Sequence, residues 1–134
     1  MPSSVVIPML AYPDVREAVR WLVRTFGFEE RLRIDDHRAQ LVFMGQAVVV
    51  IKGPAPHDGV WISHSVMVRV PDVDAHFRRV EAAGARGPSV PETYPYGERQ
   101  YSVRDIGGHL WTFTESVQDV DPTMWGGMLY PPDD

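Results

Sequence analysis

A capped helix is predicted by the stretch Asp72-Val73-Asp74-Ala75-His76-Phe77-Arg78-Arg79-Val80-Glu81-Ala82-Ala83-Gly84. Aspartate is a favoured N-cap, glycine commonly follows the last turn, and apolar residues recur between them at helical intervals. Residues 14–27 repeat this plan, because they also open with Asp-Val and close with Gly. The two aspartates are 58 residues apart and the two glycines 57, which indicates an internal duplication. The alternative is coincidence, since caps of both kinds are common.

Strand-like segments flank both predicted helices in the same order. One segment precedes each helix and three follow it. The repeated order βαβββ predicts an α+β fold of two paired modules. The predicted strands are 5–12, 31–34, 39–43 and 47–51 in the first module and 64–70, 85–90, 99–103 and 110–114 in the second.

The chain length of 134 residues suits one compact domain in which both modules share a core. Module 1 spans about residues 5–52 and module 2 about residues 62–116. The connecting residues 53–61 are rich in Pro and Gly, which is typical of a linker. With a C-terminal tail, 117–134, these parts form a single predicted domain over residues 1–134.

The amino-acid composition argues against several classes of function. The chain has a net charge of −5 and no run of basic residues, so we expect no nucleic-acid-binding surface. It has no cysteine, which removes disulfides, thiolate metal sites and cysteine nucleophiles. No apolar run approaches the roughly 20 residues that span a bilayer, and residues 1–15 lack a signal-peptide pattern. We therefore expect a cytoplasmic protein that does not bind membranes.

Three local motifs carry a resemblance to a known family. They are Pro71-Asp72-Val73-Asp74-Ala75 with Ala83-Gly84-Ala85, Tyr96-Gly97-Glu98-Arg99, and Asp105-Ile106-Gly107-Gly108-His109-Leu110-Trp111-Thr112-Phe113. Together with the paired βαβββ order, they resemble the vicinal oxygen chelate superfamily, which includes glyoxalase I, bleomycin and fosfomycin resistance proteins and extradiol dioxygenases. Ile106 departs from the pattern, because the family usually has Pro there. The resemblance covers residues 5–115 and implies a curved, cup-shaped mixed sheet with helices outside and the ligand inside.

Alternation along the strands assigns each side chain to the helix side or to the cup. The valines at 66, 68 and 70, with Trp111 and Phe113, suit the helix side. The predicted cup residues of module 2 are Ser65, Met67, Arg69, Leu110 and Thr112, and the register of the family that the chain resembles adds Gln100 and Ser102. Those of module 1 are Ile7, Met9, Gln40, Val42, Ala47, Val49 and Ile51.

Enzymes of this superfamily hold a divalent metal with His and Glu or Gln side chains. The resemblance maps these positions onto Ile7, Val49, Ser65 and Thr112, none of which is His, Asp or Glu. Aliphatic side chains supply no donor for a metal. A register shift of one residue would bring His64 to a ligand position, but it would also turn the three valines of that strand into the cup. We therefore predict no metal and no cofactor.

Arg69 would be the single formal charge in this cup. The alternative is that Arg69 reaches solvent at the strand end and pairs with Asp72 or Asp105.

Four aromatic residues lie outside the periodic core positions. Their role could be to stack on a planar ligand, to pack at a dimer interface or to cover the sheet ends. They are Trp61, Tyr94, Tyr96 and Trp125. The apolar tail predicts docking over the cup of its own chain or of a partner.

A mostly apolar cup with a few convergent polar groups is typical of a small-molecule site. With the resemblance, it predicts a protein that sequesters a small organic molecule without a metal, as a homodimer. The alternatives are a metal-dependent lyase, isomerase or dioxygenase of the same superfamily and a scaffold without a ligand. The candidate ligand-binding residues are Ser65, Met67, Arg69, Gln100, Ser102, Thr112, Val49, Trp61 and His64.

Overall fold

Two βαβββ modules make up the fold, as the sequence predicts, in a computed structural model that describes residues 6–54 and 64–127. The elements of the first module are β1 (Met9–Tyr12), α1 (Val15–Phe26), β2 (Glu29–Ile34), β3 (Arg38–Phe43) and β4 (Gln46–Lys52). Those of the second are β5 (Val66–Arg69), α2 (Val73–Ala82), β6 (Glu92–Thr93), β7 (Glu98–Arg104) and β8 (Leu110–Ser116). A short 3₁₀ helix, Pro122–Trp125, follows in the tail.

Each module builds one four-stranded mixed sheet with the same topology. The strand orders are β1-β4-β3-β2 in the first sheet and β5-β8-β7-β6 in the second. The first strand of each module pairs in parallel with the last, and the remaining neighbours are antiparallel. Among residues 6–54 and 64–127, both sheets are open, and β1 and β5 each lie at the edge of their sheet. This α+β arrangement of two curved sheets confirms the predicted fold class.

The helices begin and end where the capping residues predict. Asp14 Oδ1 accepts a hydrogen bond from Glu17 N at 3.0 Å, and Asp72 Oδ1 accepts one from Ala75 N at 3.1 Å. Each bond satisfies one of the backbone N–H groups that a helix N-terminus leaves unpaired. Gly27 ends α1 with a left-handed φ of 87°, which glycine adopts without a steric penalty.

The predicted strand at residues 85–90 is wrong, because the corresponding strand is β6, only two residues long. Pro88 and Pro91 have no N–H group, so neither can donate to a ladder. Gly87 also has a positive φ of 47°, which interrupts an extended chain. Ser89 still makes one backbone bond to the sheet, from its N–H to Ser102 O at 2.9 Å. The chain therefore approaches β7 before it pairs regularly with it.

The two modules share one hydrophobic core between the sheets and the helices. Phe26 at the end of α1 is fully buried. Its ring lies 5.2 Å from the ring of Trp111 and 4.8 Å from that of Phe113, both on β8 of the other module. Val66 and Val68 pack against the same core, which confirms that this face of β5 lies on the helix side.

Polar contacts also join the modules. The His76 side chain on α2 reaches back to the end of α1, where its Nε2 lies 2.9 Å from Phe26 O. His109, before β8, places its Nε2 2.8 Å from Ala11 O on β1. Most of the predicted linker lies outside the described residues, which include only 53 and 54 of it. Within the described ranges, no helix has the length and apolar character to cross a membrane.

Candidate ligand-binding site

The second sheet brings three predicted site residues into one row across its cup face. Met67 on β5 is opposite Thr112 on β8, and Thr112 is opposite Ser102 on β7. The hydroxyl oxygens of Ser102 and Thr112 are 2.9 Å apart and share a hydrogen bond. The methionine is 61% exposed. This row combines an apolar side chain at the edge of the sheet with two linked hydroxyl groups nearer its centre.

The next row contains the charged groups. Arg69 is opposite Thr114, which is opposite Gln100. Glu98 Oε1 accepts a hydrogen bond from Thr114 Oγ1 at 2.9 Å and lies 3.5 Å from Arg69 Nη2. The arginine side chain is 72% exposed. Arg69 therefore reaches solvent, as the alternative interpretation predicts, but its partner is Glu98 and not Asp72 or Asp105.

An aromatic cluster adjoins this charged row. Tyr96 donates a hydrogen bond from its hydroxyl to Gln100 Oε1 at 3.2 Å. Its ring stacks on that of Tyr94 at a centroid distance of 5.4 Å and lies 5.5 Å from the ring of Trp125. The charge of Glu92, whose Oε2 accepts from the Tyr94 hydroxyl, raises the pKa of Tyr94. Trp125 belongs to the 3₁₀ helix, so this part of the tail packs against its own chain.

The first sheet has a matching row. Met9 on β1 is opposite Val49 on β4, and Val49 is opposite Gln40 on β3. By topology, Val49 in this sheet corresponds to Thr112 in the second. Val49 and Gln40 are both buried, and Gln40 Oε1 accepts a hydrogen bond from Arg31 Nη1 at 2.8 Å. At these two positions the cup face of the first sheet is therefore buried, with an apolar side chain at Val49 and a hydrogen-bonded amide at Gln40.

The remaining predicted site residues precede β5. Ser65 and His64 are exposed and lie directly before the strand. Trp61 lies outside the described residues. The placement of Val66 and Val68 in the core shows that the strand has the predicted register, so the one-residue shift that would turn His64 into the cup does not occur.

A cavity of about 410 Å³ lies between β5 and the β3–β4 hairpin. Both faces of β5 line it, through Val66 and Val68 as well as Met67 and Arg69. Phe43, Met44 and Gln46 line it from the hairpin. Phe28, Val6 and Pro8 complete a predominantly apolar wall with Val48 and neighbouring residues. Among the described residues that line this cavity, Arg69 is the one that carries a charge.

Sequence reasoning missed several of these residues. Glu98 alternates with Gln100 and Ser102 along β7, so the same strand pattern would have placed it on the cup face. Phe28 and Phe43 have no such signal, because a cavity wall and a core position have the same apolar pattern in sequence. Met44 follows a strand and precedes Gly45, which is typical of a turn.

The residues at the family's metal positions do not fit a divalent metal. Ile7 and Val49 offer no donor atom, and Ser65 and Thr112 offer neutral hydroxyl groups in place of imidazole and carboxylate. Within residues 6–54 and 64–127, no group of three or more His, Cys, Asp or Glu side chains could hold a metal ion.

Comparisons with known proteins agree with this fold. The matching family model is described as Glyoxalase/Bleomycin resistance protein/Dioxygenase superfamily and covers residues 5–113. No curated protein matches the sequence. TioX from Micromonospora sp. ML1 is 40% identical with a TM-score of 0.72, over 88% of this chain and 100% of that one.

Two more distant structures show the fold alone. Lactoylglutathione lyase from Agrobacterium tumefaciens is 18% identical with a TM-score of 0.66, over 94% of this chain and 98% of that one. The fosfomycin resistance protein FosX from Listeria monocytogenes is 18% identical with a TM-score of 0.67, over 86% of this chain and 94% of that one.

Proposed function

Because the chain belongs to the Glyoxalase/Bleomycin resistance protein/Dioxygenase superfamily, we propose that it binds a small organic molecule and sequesters it without a metal. One observation carries this proposal: an apolar cavity of about 410 Å³ shares Met67 and Arg69 with the cup face, on which the hydroxyl groups of Ser102 and Thr112 and the amide of Gln100 also lie. Ligand pockets commonly have such a volume and this balance of apolar walls with a few polar groups.

In this proposal the predicted residues have distinct roles. Arg69, Gln100 and Thr112, with Ser65, orient polar groups of the ligand. Met67 and Val49 provide apolar contact, and methionine adapts its shape to different ligands. His64 directly precedes β5, and Tyr94, Tyr96 and Trp125, which cluster beside Gln100, offer flat faces for stacking.

Metal independence is supported by the donor chemistry. Thr112 and Ser102 already share a hydrogen bond, and their hydroxyl groups remain protonated near neutral pH. The resemblance gives superfamily enzymes His and Glu or Gln ligands at the positions of Ile7, Val49, Ser65 and Thr112, and this chain has none of these residue types there. A bound molecule would therefore meet hydrogen-bonding groups in place of a Lewis acid, which favours binding over turnover.

We further propose that the protein acts as a homodimer. Met9 on β1 and Met67 on β5 are 54% and 61% exposed. They occupy equivalent positions in the two modules, each on a strand that lies at a sheet edge and has one neighbour among the described strands. Unpaired edges next to exposed apolar side chains are typical of surfaces that another chain covers. Sedimentation equilibrium tests this proposal, and a monomer at micromolar concentration would contradict it.

The test of the function combines metal analysis with ligand capture. Purified protein is incubated with Mn, Fe, Ni and Zn, desalted and analysed for metal, and background metal content is expected. The same protein is then mixed with a panel that includes bleomycin and fosfomycin and examined by native mass spectrometry. A captured compound that is recovered unchanged supports sequestration. Near-stoichiometric metal together with conversion of a compound would instead establish the metal-dependent lyase, isomerase or dioxygenase.

A matched pair of variants locates the site. Ser102→Ala removes a hydroxyl group from the row that contains Thr112, whereas Ser116→Ala removes one from the same face at the exposed end of β8, away from that row. Weaker capture by the first variant alone supports the proposed face. Equal capture by both variants would place the ligand elsewhere.

A further inference from the structure

The cavity beside β5 combines an apolar interior with one cation at its wall. Aromatic and aliphatic side chains dominate the lining, including Phe28, Phe43 and Met44, and the described lining residues include no carboxylate. Arg69 supplies the charge. An apolar surface with a single positive group is complementary to a molecule with an apolar body and one negative group.

The charge of Arg69 is only weakly satisfied within the protein. Its Nη2 lies 3.5 Å from Glu98 Oε1, which is longer than a normal N–H···O hydrogen bond. That oxygen already accepts a better hydrogen bond from Thr114 at 2.9 Å. A guanidinium group has five N–H donors and binds a carboxylate through two of them at once. The guanidinium group of Arg69 would therefore gain, in an incoming anion, a better hydrogen-bonding partner than Glu98.

We propose that the sequestered molecule is an apolar organic anion, such as an aryl carboxylate, whose negative group is bound by Arg69 while its body fills the cavity. This inference rests on the proposed function and specifies the chemical class of its ligand. In this arrangement Glu98 acts as an internal competitor, because its carboxylate draws the guanidinium back toward Thr114 and repels the ligand's charge.

The experiment uses two probes that differ in charge alone. Naphthalene-2-carboxylate and naphthalene-2-carboxamide have the same ring system and nearly the same shape. Calorimetric titration of the full chain is expected to show binding of the carboxylate about tenfold tighter than that of the amide, as one charge-assisted hydrogen-bonded pair predicts. Absence of carboxylate binding, or equal affinity for the two probes, would overturn the inference.

Two substitutions should shift this preference in opposite directions. Arg69→Gln should lower carboxylate affinity to that of the amide. Glu98→Gln keeps an acceptor for Thr114 but removes the competing charge, so carboxylate affinity should rise a few-fold with amide affinity unchanged. Arg86→Gln is the matched control, because Arg86 is an exposed arginine outside the cavity lining and its loss should leave both affinities unchanged. A preference that survives Arg69→Gln contradicts the proposal.

A further variant tests the location. Gln46→Glu adds a negative charge to the cavity wall on the hairpin with little change of shape. Carboxylate affinity should then fall and amide affinity should stay constant, whereas unchanged carboxylate affinity would place the anion outside this cavity. If the protein captures a panel compound but shows no preference for the carboxylate, this inference fails and the proposed function stands. If it captures no panel compound and binds neither naphthalene, both fail.

Discussion

At the scale of single residues, Asp105 organises the junction between the modules. Its Oδ2 accepts hydrogen bonds from Tyr12 Oη at 2.5 Å and from Trp111 Nε1 at 2.9 Å. Its Oδ1 accepts from the backbone N–H groups of Gly107 and His109, both at 2.9 Å. Burial, followed by the charge of Asp105, raises the pKa of Tyr12 well above its usual range. The carboxylate is therefore a buried acceptor surrounded by donors.

Replacement of this acceptor should destabilise the protein. Each carboxylate oxygen of Asp105 accepts from two donors, so in Asp105→Asn the amide NH₂ must face one of these two pairs of donors. Buried groups are then left without a hydrogen bond, which should lower the free energy of unfolding by about 3 kcal/mol. Asp119→Asn is the control, because Asp119 is exposed and should change stability by less than about 0.5 kcal/mol. Urea denaturation measures both. Equal midpoints would show that the junction does not depend on the charge.

The backbone of Gln118 approaches Gly97 so closely that a side chain at position 97 would not fit. A Cβ atom at this position would overlap Gln118 O, and φ is 87°. Gly84 has a similar φ of 82° but nothing within 4 Å. Gly84→Ala should therefore cost only the conformational penalty, about 1–2 kcal/mol, whereas Gly97→Ala should cost more and displace the start of the tail. Thermal denaturation compares them, and equal losses would contradict the steric argument.

At the scale of elements, His76 joins α2 to α1 and to β7. A carbonyl oxygen only accepts, so Nε2 carries the proton that is donated to Phe26 O, and Nδ1 of the neutral ring accepts from Tyr101 Oη at 2.5 Å. Burial is the main cause that lowers the pKa of His76, and the charge of Arg79 adds to it. The fold therefore favours the neutral ring.

This preference predicts a pH dependence of stability. Because the folded pKa is below the unfolded value of about 6.5, the contribution of His76 is complete above about pH 6.5 and is lost as pH falls toward the folded pKa. Urea midpoints of the wild type should therefore decrease between about pH 7.5 and pH 5 more than those of His76→Gln. Parallel curves would show that His76 does not contribute to the acid sensitivity.

Both helices were predictable because their limits are set by local chemistry. Asp14 and Asp72 accept hydrogen bonds from backbone groups only three residues away. The position of β6 was not predictable from capping chemistry, because it depends on where Pro88 and Pro91 allow the chain to pair with β7. Alternation placed Met67 and Thr112 on one face of the sheet, since side-chain direction along a strand is also local, and the family register added Ser102.

At the scale of the whole molecule, the cavity could not be predicted in the same way. Its walls come from β5 and from the β3–β4 hairpin, which belong to different modules. Their separation is fixed by packing of the shared core, and no sequence period reports that distance. Alternation could have placed Glu98 on the cup face, but its pairing with Arg69 depends on the strand order, because β7 is two positions away from β5 in the sheet.

The shared core also predicts that the two modules unfold together. Phe26 belongs to module 1 but contacts Trp111 and Phe113 of module 2, so Phe26→Ala should remove aromatic contacts on both sides and cost about 3–5 kcal/mol. Phe77 is partly buried against the same core and contacts Tyr101 within module 2, so Phe77→Ala should cost less. Tryptophan fluorescence and far-UV circular dichroism should report one coincident transition for each variant, as two-state unfolding requires. Separate transitions for the two probes would show instead that each module folds independently and that the aromatic contacts only hold the two folded modules together.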